Sequence, residues 1–137
     1  MGARKPFAVY AITRHGLGIA ARLSATLGDA EVYVSEKLLG AAQAIPELSR
    51  ALTLKLPMGP VLAETFTAYD CHVFAISVGA VVRMIAPVIK DKKIDPAVIC
   101  VDDAARFAIC VLSGHVGRGN FFTRSEEHTS ELQSRHN

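Results

Sequence analysis

The chain has 137 residues, half of them hydrophobic and a fifth charged, enough for one domain with a real core and too few for a two-domain enzyme that builds its own substrate cleft. Fifteen basic residues against thirteen acidic ones leave a net charge of +2, too small and too dispersed for a nucleic-acid footprint. The longest apolar stretch, Val73 to Ile89, is interrupted by Ser77, Gly79, Arg83 and Pro87, so no piece reaches the roughly 20 residues of a membrane-spanning helix; with no secretory cleavage site near the start, a cytoplasmic location is expected.

Phe7 to Thr13 is a short run rich in β-formers and predicts a first strand. Leu17 to Leu27 places Ala20, Leu23 and Leu27 on one helical face and is stopped by Gly28. Glu31 to Ser35 predicts a second strand, which completes a right-handed parallel strand–helix–strand unit. From Glu36 to Gly59, Pro46, Pro57 and two glycines break any period, and irregular structure is expected. Pro60 to Tyr69 predicts a helix with proline in its first turn, His72 to Ser77 a buried strand, and Val78 to Ala86 a helix that Pro87 ends. Ala97 to Val101 and Phe107 to Leu112 predict two further strands joined by the polar corner Asp102-Asp103. This alternation indicates an α/β sandwich of helices around a largely parallel sheet, with the last two strands the place where an antiparallel pair would intrude.

Cys71, Cys100 and Cys110 lie at wide spacings inside apolar runs, without a zinc-binding pattern, and read as reduced core thiols. Lys90, Lys92 and Lys93, with Asp91 and Asp95 interleaved, read as a solvated loop. After Phe122 the composition changes abruptly. The fourteen residues from Arg124 to Asn137 carry one aliphatic side chain, Leu132, and resemble the in-frame translation of a short-read sequencing adapter. Residues 1–123 are therefore expected to be the native α/β region, cut short at its carboxyl end, and residues 124–137 a disordered tail.

The loop Ser113-Gly114-His115-Val116-Gly117-Arg118-Gly119-Asn120 follows a strand, the position where open α/β sheets bind ligands. Its glycines would let backbone amides approach an anion or a developing oxyanion, and His115 could serve as general acid or base. A tight turn with a surface histidine is the plain alternative. Arg83 is the sole charge between Val78 and Ile89; placed in the first turns of its helix it would be disfavoured by the macrodipole unless an anion compensates, which makes it a candidate anion anchor. Lys90 would extend the same basic surface. Asp102-Asp103 is better explained as a turn than as a carboxylate pair. A rival constellation is Gly16-Leu17-Gly18-Ile19-Ala20-Ala21, which matches the G-x-G-x-x-A dinucleotide fingerprint and has Glu36 about 20 residues on.

Ser77 to Asn120 resembles the amino-terminal region of CbiG-type cobalt-precorrin-5A hydrolases of anaerobic cobalamin biosynthesis. The resemblance is carried by Gly79 to Arg83, Ile85-Ala86-Pro87, Lys90-Asp91-Lys92, Asp95-Pro96-Ala97-Val98, Val101-Asp102 and Ser113-Gly114-His115, and extends back to Ala11-Ile12-Thr13 and Gly16 to Ala21. Gly117-Arg118-Gly119-Asn120 departs from the family's usual Gly-Gly-Ala-Asn. The resemblance implies hydrolytic opening of a δ-lactone on a cobalt corrinoid precursor with release of acetaldehyde. It implies no cofactor or protein metal site, because cobalt arrives inside the substrate. Its partners would be that corrinoid and the central and carboxy-terminal regions of the same protein, with no nucleic acid or membrane. His115 is then the candidate base, with Arg83, Lys90, Ser113, Gly114, Gly117 and Asn120 as candidate substrate-binding residues. A dinucleotide-binding oxidoreductase domain and a non-catalytic corrinoid-binding module are the competing readings.

Overall fold

In the first strand, β1 (Lys5–Ala11), Phe7, Val9 and Ala11 fall on one side and Ala8 and Tyr10 on the other, and all five are buried. That is the pattern of a strand covered on both faces. The structure is a computed structural model describing residues 4–102 and 106–113. Gly114, His115, Gly117, Asn120, Asp103 and the segment 124–137 lie outside the described residues.

Helix α1 (Arg14–Leu27) begins three residues earlier than the apolar spacing predicts. Thr13, in extended conformation, supplies the reason: its hydroxyl accepts the Gly16 N–H at 2.9 Å and caps the first turn. At the other end Gly28 adopts φ 79° and returns its N–H to the Ser24 carbonyl, the left-handed stop that glycine adopts without steric cost. Strand β2 (Ala30–Ser35) follows, then a 3₁₀ turn, the short helix α2 (Leu39–Gln43), a second 3₁₀ turn and the three-residue strand β3 (Leu52–Leu54). Glu36 to Gly59 is thus not wholly irregular. Only Leu54 of β3 is buried, so the strand exists through pairing with β2 rather than through any pattern of its own.

Helix α3 (Gly59–Thr65) ends in a 3₁₀ turn before strand β4 (Tyr69–Ala75), which starts three residues earlier than predicted. Helix α4 (Val78–Ile85) also passes into a 3₁₀ turn containing Pro87. Strands β5 (Ala97–Val101) and β6 (Ala108–Ser113) are the last elements of the described residues. Asp102 is the turn residue it was expected to be, its Oδ1 accepting the N–H groups of Arg106 and Phe107.

The six strands form one sheet in the order β3-β2-β1-β4-β5-β6, in which β1 to β5 run parallel and β6 is antiparallel to β5. Helices α1 and α2 cover one face, through Leu17, Ile19, Ala20, Leu23 and Ala42. Helices α3 and α4 cover the other, through Leu62, Val81 and Ile85. The chain steps outward from β1 in one direction and outward from β4 in the other, so right-handed crossovers must place the two sets of helices on opposite faces. Among the described residues no helix is long and apolar enough to cross a membrane.

Candidate functional site

The strand order reverses between β1 and β4, and in open α/β sheets ligands bind beyond the carboxyl ends of the strands near such a reversal. Here the gap itself is closed by helix α1. A Cβ added at Gly16 would lie 3.1 Å from Thr13 Oγ1, 3.3 Å from the Ala75 carbonyl oxygen and 3.4 Å from the Ala11 Cβ. Glycine at 16 therefore lets the helix start lie directly against the end of β4. This overturns the dinucleotide fingerprint, which needs its glycines in the turn between strand and helix so that a pyrophosphate can reach backbone amides. Gly16 and Gly18 are the third and fifth residues of α1, and the turn itself is only Ile12-Thr13.

The open space at this end lies one step to the side, over β1, β2 and β3. A cavity of about 580 Å³ is lined by Ile12, Ser35, Glu36, Lys37, Leu54 and Leu56. Ile12, Ser35 and Leu54 stand where three adjacent parallel strands end. Glu36 and Lys37 begin the following 3₁₀ turn, and Leu56 sits on the link to α3. Glu36 was singled out in the sequence; Ser35 and Lys37 were not, because a serine closing an apolar strand has no distinguishing pattern.

Of the residues expected to carry the chemistry, the described ones, Arg83, Lys90 and Ser113, lie at the opposite end. Because β6 is antiparallel, Ser113 pairs with Ala97, the first residue of β5, so Ser113 lies at the amino ends of the parallel strands. The expectation that Ser113 stands at the ligand-binding end is thereby corrected, while the rest of the loop lies outside the described residues. Lys90 belongs to the link that leads into Ala97, and Arg83 lies in the last turn of α4. This corrects the placement of Arg83 in the first turns. The helix has only eight residues, and at its carboxyl end a cation is favoured by the macrodipole, so no anion is needed to account for it. Arg83, Lys90 and Ser113 are all exposed.

The amino end is organised by Asp95, which is buried and accepts the N–H groups of Lys90 and Asp91 on Oδ2 at 2.9 and 3.2 Å. Its Oδ1 has no partner among the described residues. Arg4 donates to the Ile94 carbonyl at 2.5 Å and ties the same link to the start of β1. The lysines of this link are exposed, as a solvated loop requires.

Between the two ends, the face under α3 and α4 carries a stacked set of rings. Tyr10 stacks on Phe74, Tyr33 and His72 with centroids 4.5, 5.3 and 5.7 Å apart. The Phe66 carbonyl can only accept, so His72 Nε2 donates to it at 2.7 Å and Nδ1 must accept from the Tyr10 hydroxyl, also at 2.7 Å. Burial holds His72 neutral, its pKa pushed down to about 4. The same burial raises the Tyr10 phenol above its ordinary value. A second chain runs from the Tyr33 hydroxyl to that of Tyr69 and on to Glu31, which also pairs with Lys5 at 3.0 Å. Tyr69, foremost, holds the Glu31 carboxyl below its usual range. Among the thiols, Cys71 and Cys100 are buried and that of Cys100 is pushed up to about 11 by burial, whereas Cys110 on the edge strand is only half-buried.

Comparison with known proteins places this arrangement. The cobalt-precorrin-5A hydrolase of Priestia megaterium is 42% identical over 124 residues, covering 88% of this chain and 32% of the relative. That of Salmonella typhimurium strain LT2 is 33% identical over 117 residues, covering 85% of this chain and 31% of the relative. The chain thus spans about a third of the length of these curated relatives. A crystal structure of a cobalamin biosynthesis protein G homologue from Sulfolobus solfataricus shares the fold, with a TM-score of 0.62 at 18% identity, covering 92% of this chain and 34% of that one. A sequence profile described as Cobalamin synthesis G N-terminal matches residues 60–133, more than half of the chain. The chain belongs to the cobalamin synthesis G amino-terminal family.

Proposed function

We propose that this chain is the amino-terminal part of a cobalt-precorrin-5A hydrolase. In that reading water opens the δ-lactone of a ring-contracted cobalt corrinoid precursor, and the former meso carbon leaves with its methyl group as acetaldehyde by carbon–carbon cleavage. The observation that carries it is the family match over residues 60–133, joined by two curated relatives that bear this name. The chemistry calls for a base for water, donors for an oxyanion, and cations for a macrocycle rimmed with carboxylates. His115 is assigned the first role and the amides from Gly114 to Gly119 the second, with Ser113 and Asn120 flanking them. Arg83 and Lys90 are assigned the third. That Arg83, Lys90 and Ser113 lie at one end of the sheet supports grouping them. Cobalt enters with the substrate and no further cofactor is assigned, while the regions that make up the other two thirds of the relatives complete the cleft. On this reading the protein works in the cytoplasm, without nucleic acid or membrane.

The test is a chimera of the Priestia megaterium hydrolase in which residues 1–123 of this chain replace the matching amino-terminal third. Acetaldehyde release at a rate comparable to the parent is the expected result, and a folded chimera that releases none overturns the reading. Within it, His115→Ala should lower turnover by roughly two to four orders of magnitude. Arg83→Ala should chiefly raise KM, because a charge on the substrate periphery contributes alike to ground and transition states. Near-normal turnover by His115→Ala would place the base in the remaining two thirds of the enzyme.

A further inference from the structure

We propose that the cavity over the carboxyl ends of β1, β2 and β3 is a subsite for an aliphatic monocarboxylate arm, of the kind that acetate and propionate side chains present on a corrinoid. The identity of the ligand rests on the function proposed above; the carboxylate chemistry rests on the cavity. Ser35 is only 5% exposed, yet it lines the cavity, stands at the N-cap of the following 3₁₀ turn without making a side-chain cap bond, and its hydroxyl has no hydrogen-bond partner among the described residues. Asp95 Oδ1 is the one buried side-chain atom left unpaired among the described residues, so the Ser35 hydroxyl opens on the cavity, where it can donate to an acceptor held there.

Lys37 lines the same space and forms no ion pair with any described residue. A carboxylate can accept from the Ser35 hydroxyl and the Lys37 ammonium together, one oxygen to each. Its stem then lies on Ile12, Leu54 and Leu56, the aliphatic part of the lining. Glu36 is the remaining lining residue and offsets the charge of Lys37, so the cavity is nearly neutral. That balance favours a singly charged group with an apolar stem over a compact dianion such as phosphate. At about 580 Å³ the cavity lies within the range of small-molecule sites, roughly 300 to 1,000 Å³. It is large enough for a carboxylate arm.

The experiment is amide chemical-shift mapping on the ¹⁵N-labelled chain with three probes: propionate, a diamagnetic dicyanocobalt(III) corrinoid with seven free carboxylates, and its heptamethyl ester. Propionate and the free-acid corrinoid should shift the amides of Ile12, Ser35 to Lys37 and Leu54 to Leu56, and the ester should not. Ser35→Ala and Lys37→Gln should each weaken binding about tenfold, the expected loss for one hydrogen bond to a charged group. Lys37 is exposed, so that variant tests the site without touching the core. If propionate shifts these amides and the corrinoid does not, the carboxylate subsite stands and the corrinoid reading fails. If the corrinoid shifts only the segment from Arg83 to Lys93 and Ser113, and both variants bind it normally, the corrinoid reading stands and the subsite falls. Absence of any shift with propionate and with the corrinoid overturns the subsite.

Discussion

The two faces of the sheet come from the same strands and have different chemistry. Under α1 lie Val9, Ala11, Val32, Val34, Val73, Ala75 and Ile99, all aliphatic and mostly small. Under α3 and α4 lie Tyr10, Phe66, Tyr69 and Phe74 around the buried His72. Adjacent residues of one strand serve opposite faces, so β1 delivers Val9 to the first and Tyr10 to the second. Small aliphatic residues let α1 approach until only glycine fits at position 16. Aromatic residues with polar tips bind their neighbours through a few directed hydrogen bonds, which makes the second face sensitive to protonation. The cavity opens on this second face, whose core includes Leu54 and is flanked by Ile12.

Three measurements can break or sharpen this contrast. The largest expected effect is on the aliphatic face, where Leu23→Ala removes a side chain only 3% exposed. It should cost about 3 kcal/mol in denaturant unfolding, a transfer loss plus a cavity, and by the same amount at pH 7 and pH 4.5.

Next comes the acid response of the aromatic face. Unfolded, His72 titrates near 6.5; folded, near 4, because burial first of all, and then the charge of Arg4, opposes protonation. Between these values the unfolded chain binds more protons, so the stabilisation is complete above about pH 6.5 and is lost as the pH falls toward 4. The loss should be about 3 kcal/mol across that window. His72→Leu, less stable at pH 7 because the Phe66 carbonyl loses its donor, should show a much flatter slope. An equally steep slope in the variant would assign the acid sensitivity to another group.

The smallest effect belongs to the rim of the same face. Tyr69→Phe keeps the ring and removes the hydroxyl that joins Tyr33 to Glu31. It should cost about 1 kcal/mol at pH 7 and let the Glu31 pKa rise toward its ordinary value, which a carboxyl NMR titration reads directly. An unmoved Glu31 would show that Lys5 alone holds it down.

The two ends of the sheet differ in how far they could be read from sequence. The basic link around Lys90, the Asp102 turn and the strands β5 and β6 carry local signals, through charge, side-chain-to-backbone bonding and apolar runs. Ser35 and Lys37 carry none, since their proximity to Ile12 and Leu54 comes from pairing between strands that are distant in the chain. Likewise β3 has three residues and one buried side chain, too little for any periodicity. The glycines at 16 and 18 misled for the opposite reason: their spacing fits a phosphate turn, but the Thr13 cap begins the helix before them.

What the sequence by itself determined is the family, the alternation of strands and helices, and the buried character of the strand that begins near His72. Apolar periodicity is a local property and survives without knowledge of neighbours. Strand direction is not local. An apolar run such as Ala108 to Leu112 reads the same whether it enters the sheet parallel or antiparallel, and only its pairing with β5 sets which end of the sheet receives Ser113. The tertiary structure therefore decided that Arg83, Lys90 and Ser113 lie at the end opposite to the cavity. A hydrogen-bonded register, formed between segments far apart in the chain, orients what local pattern can only identify.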